Sequence, residues 1–244
     1  MDNYFNINLE FDREKVKNSV HNAIESGVAE YICSVDGNNL ALANKNPAHL
    51  EVLNGSMFNV CDSAWIPLFV NWIYKTNYGN YTGPDLFLEY VKLKQYRQFF
   101  LGSNPEILEK LKKQLTGIDP AIAGMKFEAL PYREVENFDY LHIAQRINEE
   151  NPDIVWVSLG APKQEQFMCR LKPFLKRGVM FGVGAAFKFY SGISEYKRAP
   201  HWMIRLKLEW LFRTFQEPKR MVKRYWNVFV SFPGLIVKEL KKKQ

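Results

Sequence analysis

What this chain has little of sets the first bounds on it. Only three cysteines, Cys33, Cys61 and Cys169, occur in 244 residues, and no two have the spacing of a zinc-ligand pair. Odd in number, widely separated and flanked by apolar residues, they are expected to be free, buried thiols in a reducing compartment. The four histidines are scattered, which removes a His-rich metal site. Long apolar runs are missing too: the longest, Tyr225 to Val237, is too short to span a bilayer and is interrupted by Pro233 and Gly234. The N-terminal Met-Asp-Asn-Tyr-Phe-Asn has neither a basic stretch nor an apolar core, so no signal peptide is expected. Internal repeats and low-complexity linkers are absent.

What is present suits a globular chain: 47% hydrophobic residues suffice for a core. Asp153-Ile-Val-Trp-Val-Ser-Leu159 lacks in/out alternation and reads as a buried parallel strand. It runs into Gly160-Ala-Pro-Lys-Gln-Glu165, a tight turn into a helix starting near Gln164. A second strand, Val179 to Val183, runs into a glycine turn from Gly184 to Gly192. Turns at the C-terminal ends of parallel strands form the crevice where α/β proteins bind ligands.

Elsewhere the pattern predicts a helix over 12–26, strands at Ala29–Cys33 and Met57–Cys61, and a helix from Ala64 to Tyr74 that Ser63 caps. Pro47 and Gly83-Pro84-Asp85 open further helices. Tyr96 to Leu101 is strand-like and leads through Gly102-Ser103-Asn104-Pro105 into another helix, a βα turn suited to a phosphate or hydroxyl. A weak strand near Ile122–Met125 and a helix near Tyr140–Ile147 complete the alternation. The expected fold is α/β, a Rossmann-like, mostly parallel sheet with helices on both faces.

The net charge of +7 is unevenly placed. From Lys197 onward thirteen Lys and Arg face three Glu, a balance of +10, so the first 196 residues carry −3. Trp202, Leu206, Trp210 and Phe212 are interleaved with these cations in helical patterns broken at Pro218. The chain therefore divides into a core, 1–195, and a basic, amphipathic helical appendage, 196–244, suited to an anionic membrane surface. Basic patches with interleaved aromatics also bind single-stranded nucleic acid. The apolar run Val228 to Val237 has no use on such a backbone, so nucleic acid is not the expected partner.

Four sets of residues carry a resemblance over about residues 30 to 226. They are Gly160-Ala-Pro-Lys-Gln-Glu165, Gly182-Val-Gly-Ala-Ala-Phe187 with Gly192, Arg198-Ala-Pro200, and Glu209-Trp210 with Arg213, Glu217-Pro218 and Arg220. In that order they resemble the WecG/TagA/CpsF family of bacterial glycosyltransferases. The resemblance implies a Rossmann-like enzyme that moves a sugar, usually an N-acetylhexosamine such as ManNAc, from a UDP-sugar to a polyprenyl-diphosphate-linked sugar. It would work as a peripheral protein on the cytoplasmic face of the cell membrane, in cell-surface polysaccharide or teichoic-acid-type polymer synthesis. Departures from the pattern fall at Ser34-Val35-Asp36, where Thr-x-Asn is usual, and at Ser63, where Gly follows the Asp. Asn80 stands where an Arg is common, and Lys188 where an Asp is. These leave the donor sugar open more than the reaction.

Inverting sugar transfer needs a base for the acceptor hydroxyl and stabilisation of the leaving diphosphate. Asp62 is the candidate base, against the alternative that it caps the next helix. Donor-binding candidates are Ser34, Asp36, Gly102, Ser103, Gly160, Pro162, Lys163, Gln164, Glu165, Gly182 and Gly184. Ordinary turn and capping roles stand beside each of them. No Asp-x-Asp triplet occurs, so no metal is expected and no cofactor beyond the UDP-sugar substrate. Leaving-group charge then falls to Arg213, Arg220 and Arg224, whose alternative is a solvated or lipid-facing cation. Two rival classes remain. A nucleotide-dependent oxidoreductase lacks Gly-x-Gly-x-x-Gly after the first strand, and a non-catalytic membrane- or nucleic-acid-binding module would bind no nucleotide sugar. The sequence leaves a homo-oligomer open.

Overall fold

The computed structural model describes residues 3–243; Met1, Asp2 and Gln244, the outer ends of the two units expected above, lie outside the described residues. The strands are β1 (Asn3–Tyr4), β2 (Ile7–Glu10), β3 (Ala29–Val35), β4 (Phe58–Cys61), β5 (Gln98–Gly102), β6 (Lys126–Glu128), β7 (Ile154–Ser158) and β8 (Gly178–Gly182). They form one sheet in the order β1-β2-β4-β3-β8-β7-β5-β6. Every neighbouring pair is parallel except β1 with β2.

Among the described residues, twelve helices connect and flank them: α1 (Arg13–Glu25), α2 (Gly37–Ala43), α3 (Pro47–Asn54), α4 (Ile66–Tyr74), α5 (Gly83–Leu93), α6 (Pro105–Thr116), α7 (Tyr140–Glu150), α8 (Lys163–Leu171), α9 (Ala186–Tyr190), α10 (His201–Arg205), α11 (Glu209–Gln216) and α12 (Pro218–Lys243). Local chemistry starts many of them. The side chains of Asp12, Asp36, Asn46, Thr82, Asn104 and Asp139 accept from first-turn amides, each stabilising its helix by about 1 kcal/mol.

Alternate residues of the strands serve opposite faces, as the pleat requires. On β7, Val155 and Val157 join one buried cluster with Cys33 and Met180, while Ile154 and Trp156 join the other with Ile32 and Phe181. Helices α2, α3, α4, α7, α8 and α12 cover the first face, and α1, α5, α6 and α9 the second. The three cysteines are free, with Cys33 and Cys61 buried.

Four local expectations change. The predicted strand at Ile122–Met125 is a 3-10 turn, Pro120–Gly124, because Pro120 opens it and Asp119 caps it; the chain extends only at β6. The glycine turn at 184–192 contains the short helix α9. Strands β1 and β2, too short for a periodic signal, add two members to the sheet edge. The helical pattern does break at Pro218, between α11 and α12, but Pro233, read as interrupting the apolar run, does not end α12. Its hold on the core explains why: Phe232 and Leu235 lie in the same buried cluster as α2 and α4, and Phe232 packs on Phe5 and Phe69. A side chain on Gly37 would meet Val228 at 3.4 Å, so α12 and α2 approach closely. Glu239, only 2% exposed, accepts from the Tyr74 hydroxyl at 2.7 Å. Among the described residues, no helix is long and apolar enough to cross a membrane.

Candidate active site

The strand order places β3 between β4 and β8, and their C-terminal ends open on one edge of the sheet. Asp62 directly follows β4, and its amide donates to the Val35 carbonyl at 2.9 Å, which registers it with the end of β3. Helices α4 and α5 lie on opposite faces, so residues 75–82 must recross the sheet edge; the Tyr81 amide donates to the Cys61 carbonyl (2.9 Å) on the way. That return delivers the Gly83 amide to Asp62 Oδ1 at 3.2 Å. A Cβ on Gly83 would meet Ser34 Oγ at 3.2 Å and the Val183 carbonyl at 3.5 Å. The ends of β3, β4 and β8 and the start of α5 therefore meet in one crevice.

Asp62 does not cap α4, because Ser63 Oγ accepts from the Trp65 and Ile66 amides instead. Its half-buried carboxyl is pushed up to about 7, first by burial and then by the neighbouring charge of Asp36, with Arg213 pulling the other way. Arg213 comes from α11 and packs its guanidinium 5.5 Å over the Phe189 ring. Asp36 caps α2 through the Asn39 amide (2.8 Å) and pairs with Arg224 of α12 at 2.6 Å. Asp36 and, more weakly, Asp62 hold Arg224 above its usual range. The crevice thus brings Ser34, Asp36, Asp62, Arg213 and Arg224 together. Arg220, exposed, pairs with Glu217 at 2.7 Å at the start of α12.

The β7 and β8 turns are tied by one side chain. Gln164 Oε1 accepts from both the Gly160 amide (3.1 Å) and the Gly184 amide (3.0 Å), and Gln164 itself is buried. Gly160 and Gly184 have φ of +77° and +51°, the left-handed region that favours glycine. A Cβ on Gly182 would stand 2.8 Å from the Met168 methyl and 3.0 Å from Gln164 Nε2, so a side chain there would displace their ends. Glu165 is 0% exposed, accepts from Asn39 Nδ2 (3.2 Å) and Gln164 Nε2 (3.1 Å), and is pushed up to about 7 by burial. Behind it, Asn39 Oδ1 meets His49 Nε2 at 2.5 Å, and burial takes that imidazole down to about 4. Gln164 and Glu165 thus face the interior and hold the turns.

Lys163 turns outward, donating to the Arg133 carbonyl and packing over Tyr132 and Phe138, beyond Pro162 at the head of α8. Gly102 and Ser103 end β5, with β7 between them and β8, and the Ser103 amide donates to Ser158 O at 3.1 Å.

Several polar groups lie near the crevice without a role assigned to them from the sequence. Arg198 pairs with Asp85 at 2.6 Å and with Glu209 at 3.5 Å, joining α5 to α11. Burial alone would raise the Asp85 carboxyl, but Arg198 and Thr82 outweigh it and hold it low. Arg13 donates to the Asn80 carbonyl (3.2 Å) and lies 4.5 Å over Tyr81, so a guanidinium from α1 stands beside Asn80. Lys188 lies 4.9 Å over the Tyr196 ring. No group of three or more His, Cys, Asp and Glu among the described residues is arranged to hold a metal ion.

A doubly covered parallel sheet, with strand-end turns around a carboxylate and guanidinium groups above it, is the framework of a Rossmann-like glycosyltransferase. The chain belongs to the glycosyl transferase WecG/TagA/CpsF family, whose model matches residues 3–244. It is 31% identical over 206 residues, covering 82% of this chain and 74% of the relative, to an N-acetylglucosaminyldiphosphoundecaprenol N-acetyl-beta-D-mannosaminyltransferase of Bacillus spizizenii. A Bacillus subtilis enzyme of that name is 28% identical over 226 residues (91% and 83% covered), and one of Staphylococcus aureus 24% identical over 228 (88% and 85%).

Proposed function

We propose that the protein is an inverting, metal-independent glycosyltransferase. It moves an N-acetylhexosamine such as ManNAc, or another hexose, from a UDP-sugar to a polyprenyl-diphosphate-linked sugar. The relatives are named for transfer to an N-acetylglucosaminyl diphosphoundecaprenol. The observation that carries the mechanism is the Asp62 carboxylate, fixed by the Gly83 amide, poised near neutral pH and faced by Arg213. Asp62 takes the proton of the acceptor hydroxyl as its oxygen bonds to the donor's anomeric carbon. The bond from that carbon to the UDP oxygen breaks, UDP leaves with the electron pair, and arginine charge offsets the diphosphate. Attack opposite the leaving group inverts the anomeric centre.

The exposed Trp226 and Phe229 of α12, with the lysines at its end, support a peripheral seat on an anionic membrane surface at the cytoplasmic face. The test is transfer from a panel of UDP-sugars to a synthetic prenyl-diphosphate-linked N-acetylglucosamine, with and without EDTA. Transfer from at least one UDP-N-acetylhexosamine, with inverted product and no loss in EDTA, is expected. Strict dependence on added Mn2+ or a retained configuration overturns the mechanism; no transfer from any UDP-sugar overturns the reading.

A further inference from the structure

Between α2, the turn at Ala161 and the first half of α12 lies a cavity of about 600 Å3. Among the described residues, the charged ones lining it are all cationic: Lys45, Arg220, Lys223 and Arg224. Asp36 already pairs with Arg224 and Glu217 with Arg220, whereas no ion pair among the described residues holds Lys45 or Lys223. Two uncompensated ammonium groups over a concave surface raise the local concentration of anions. Lys45 is positioned by Asn227, whose Oδ1 it reaches at 2.7 Å, and Asn227 Nδ2 donates to Asn38 Oδ1 at 3.1 Å. The cavity is thus built by two elements, with amides between its cations.

One wall is apolar: Trp226 is 67% exposed and Val230 58%, and Phe229 stacks on Trp226 with ring centroids 6.2 Å apart. A ligand matching both surfaces carries phosphate on one end and a hydrocarbon chain on the other. Arg224 belongs to both the cavity and the crevice, where it pairs with Asp36 beside Asp62. A sugar attached to a diphosphate held here would therefore reach toward the base.

We propose that this cavity is the subsite for the acceptor's prenyl diphosphate, with Lys45 and Lys223 on the phosphates and Trp226 and Val230 along the first isoprene units. The three arginines then divide: Arg220 and Arg224 serve the acceptor, and Arg213, over Asp62, serves the leaving diphosphate of the donor. This rests on the reading above that the acceptor is a prenyl-diphosphate-linked sugar, and it adds residues outside the appendage to its recognition.

The experiment uses the full chain in uncharged detergent micelles, where no anionic phospholipid competes, and compares K45Q, K223Q and the double variant with the parent. K223Q leaves the Lys45–Asn227 bond intact, so its effect does not arise from a loosened helix. Binding of farnesyl diphosphate is expected to weaken by about tenfold in the double variant. Acceptor KM rises in parallel, while UDP affinity and donor KM stay within about twofold of the parent. Unchanged farnesyl diphosphate affinity overturns the proposal, as does weakened UDP binding, which would make the cavity a nucleotide site. Equal loss of binding to anionic phospholipid vesicles, with farnesyl diphosphate affinity intact, would reassign the lysines to lipid headgroups. The binding arm needs no turnover, so failure of the transfer reading and failure of this assignment are read separately.

Discussion

At the scale of single residues, two carboxyls with similar titration have different work. Asp62 lies at the mouth of the crevice and Glu165 beneath it, and burial pushes both up to about 7. A base must be deprotonated, so kcat/KM is expected to rise with pH through about 7 and to level above it. Asp62→Asn should lose about 10²- to 10⁴-fold in kcat together with that pH limb, measured by steady-state transfer. Its thermal midpoint at pH 8 should not fall, because the variant removes a charge that the fold disfavours. A D62N chain that folds and keeps the parent rate removes Asp62 from the role of base.

For Glu165 the sign runs the same way. A carboxyl raised in the folded state loses stabilisation as pH climbs from its ordinary value of 4.5 to about 7. Glu165→Gln escapes that loss, so its unfolding free energy relative to the parent should improve by on the order of 2 kcal/mol between pH 5 and pH 8. Parallel stability curves for the two chains over that range would show that the carboxyl is not titrating there. The setting of Glu165 was not legible locally: Gly-Ala-Pro-Lys-Gln-Glu reads as a polar turn, and only the packing of α2 and α3 shows that its last two residues point inward.

At the scale of elements, the β7 and β8 turns hang on one amide side chain. Truncating Gln164 to Ala leaves the Gly160 and Gly184 amides without their acceptor, a cost of about 2 kcal/mol by the usual penalty for unmade buried bonds. Urea unfolding should show that loss, and donor KM should rise because the β8 turn is released; an unchanged midpoint would mean that other contacts hold the turns. Helix α4 and helix α5 illustrate a second element-scale effect. Ser63 and Pro84 announce where these helices begin. What brings Gly83 to Asp62, though, is that the two helices cover opposite faces of the sheet. Sequence periodicity marks each amphipathic stripe but not the face against which it packs.

At the scale of the whole molecule, the basic C-terminal segment is both arm and core. Phe232 and Leu235 are buried with α2 and α4 while Trp226, Phe229 and Val237 face outward. A chain ended at Lys197 uncovers the surface under Phe232 and Leu235 and is expected to lose about 4 kcal/mol of stability, seen as a lower urea midpoint and increased dye binding. A truncated chain with the parent midpoint would show instead that residues 1–195 form a self-sufficient unit. The outward side predicts a separate behaviour. Replacing Trp226 and Phe229 together by Ala should weaken co-sedimentation with anionic vesicles by about tenfold or more and leave the midpoint unchanged. Binding unaffected by that pair would move the membrane contact elsewhere.

Composition and pattern were enough for the layered α/β class, for most strands and helix starts, and for the turn motifs that the family shares. Those features depend on neighbours along the chain, on β-branched runs, caps and prolines. Which turns share a crevice, which polar residues sink beneath it and how far a basic helix folds back depend on contacts such as Asn39 with Glu165, Gly83 with Asp62 and Arg224 with Asp36. Those partners are separated by 21 to 188 residues. Only the folded sheet, by ordering β3 between β4 and β8, brings them within hydrogen-bonding distance.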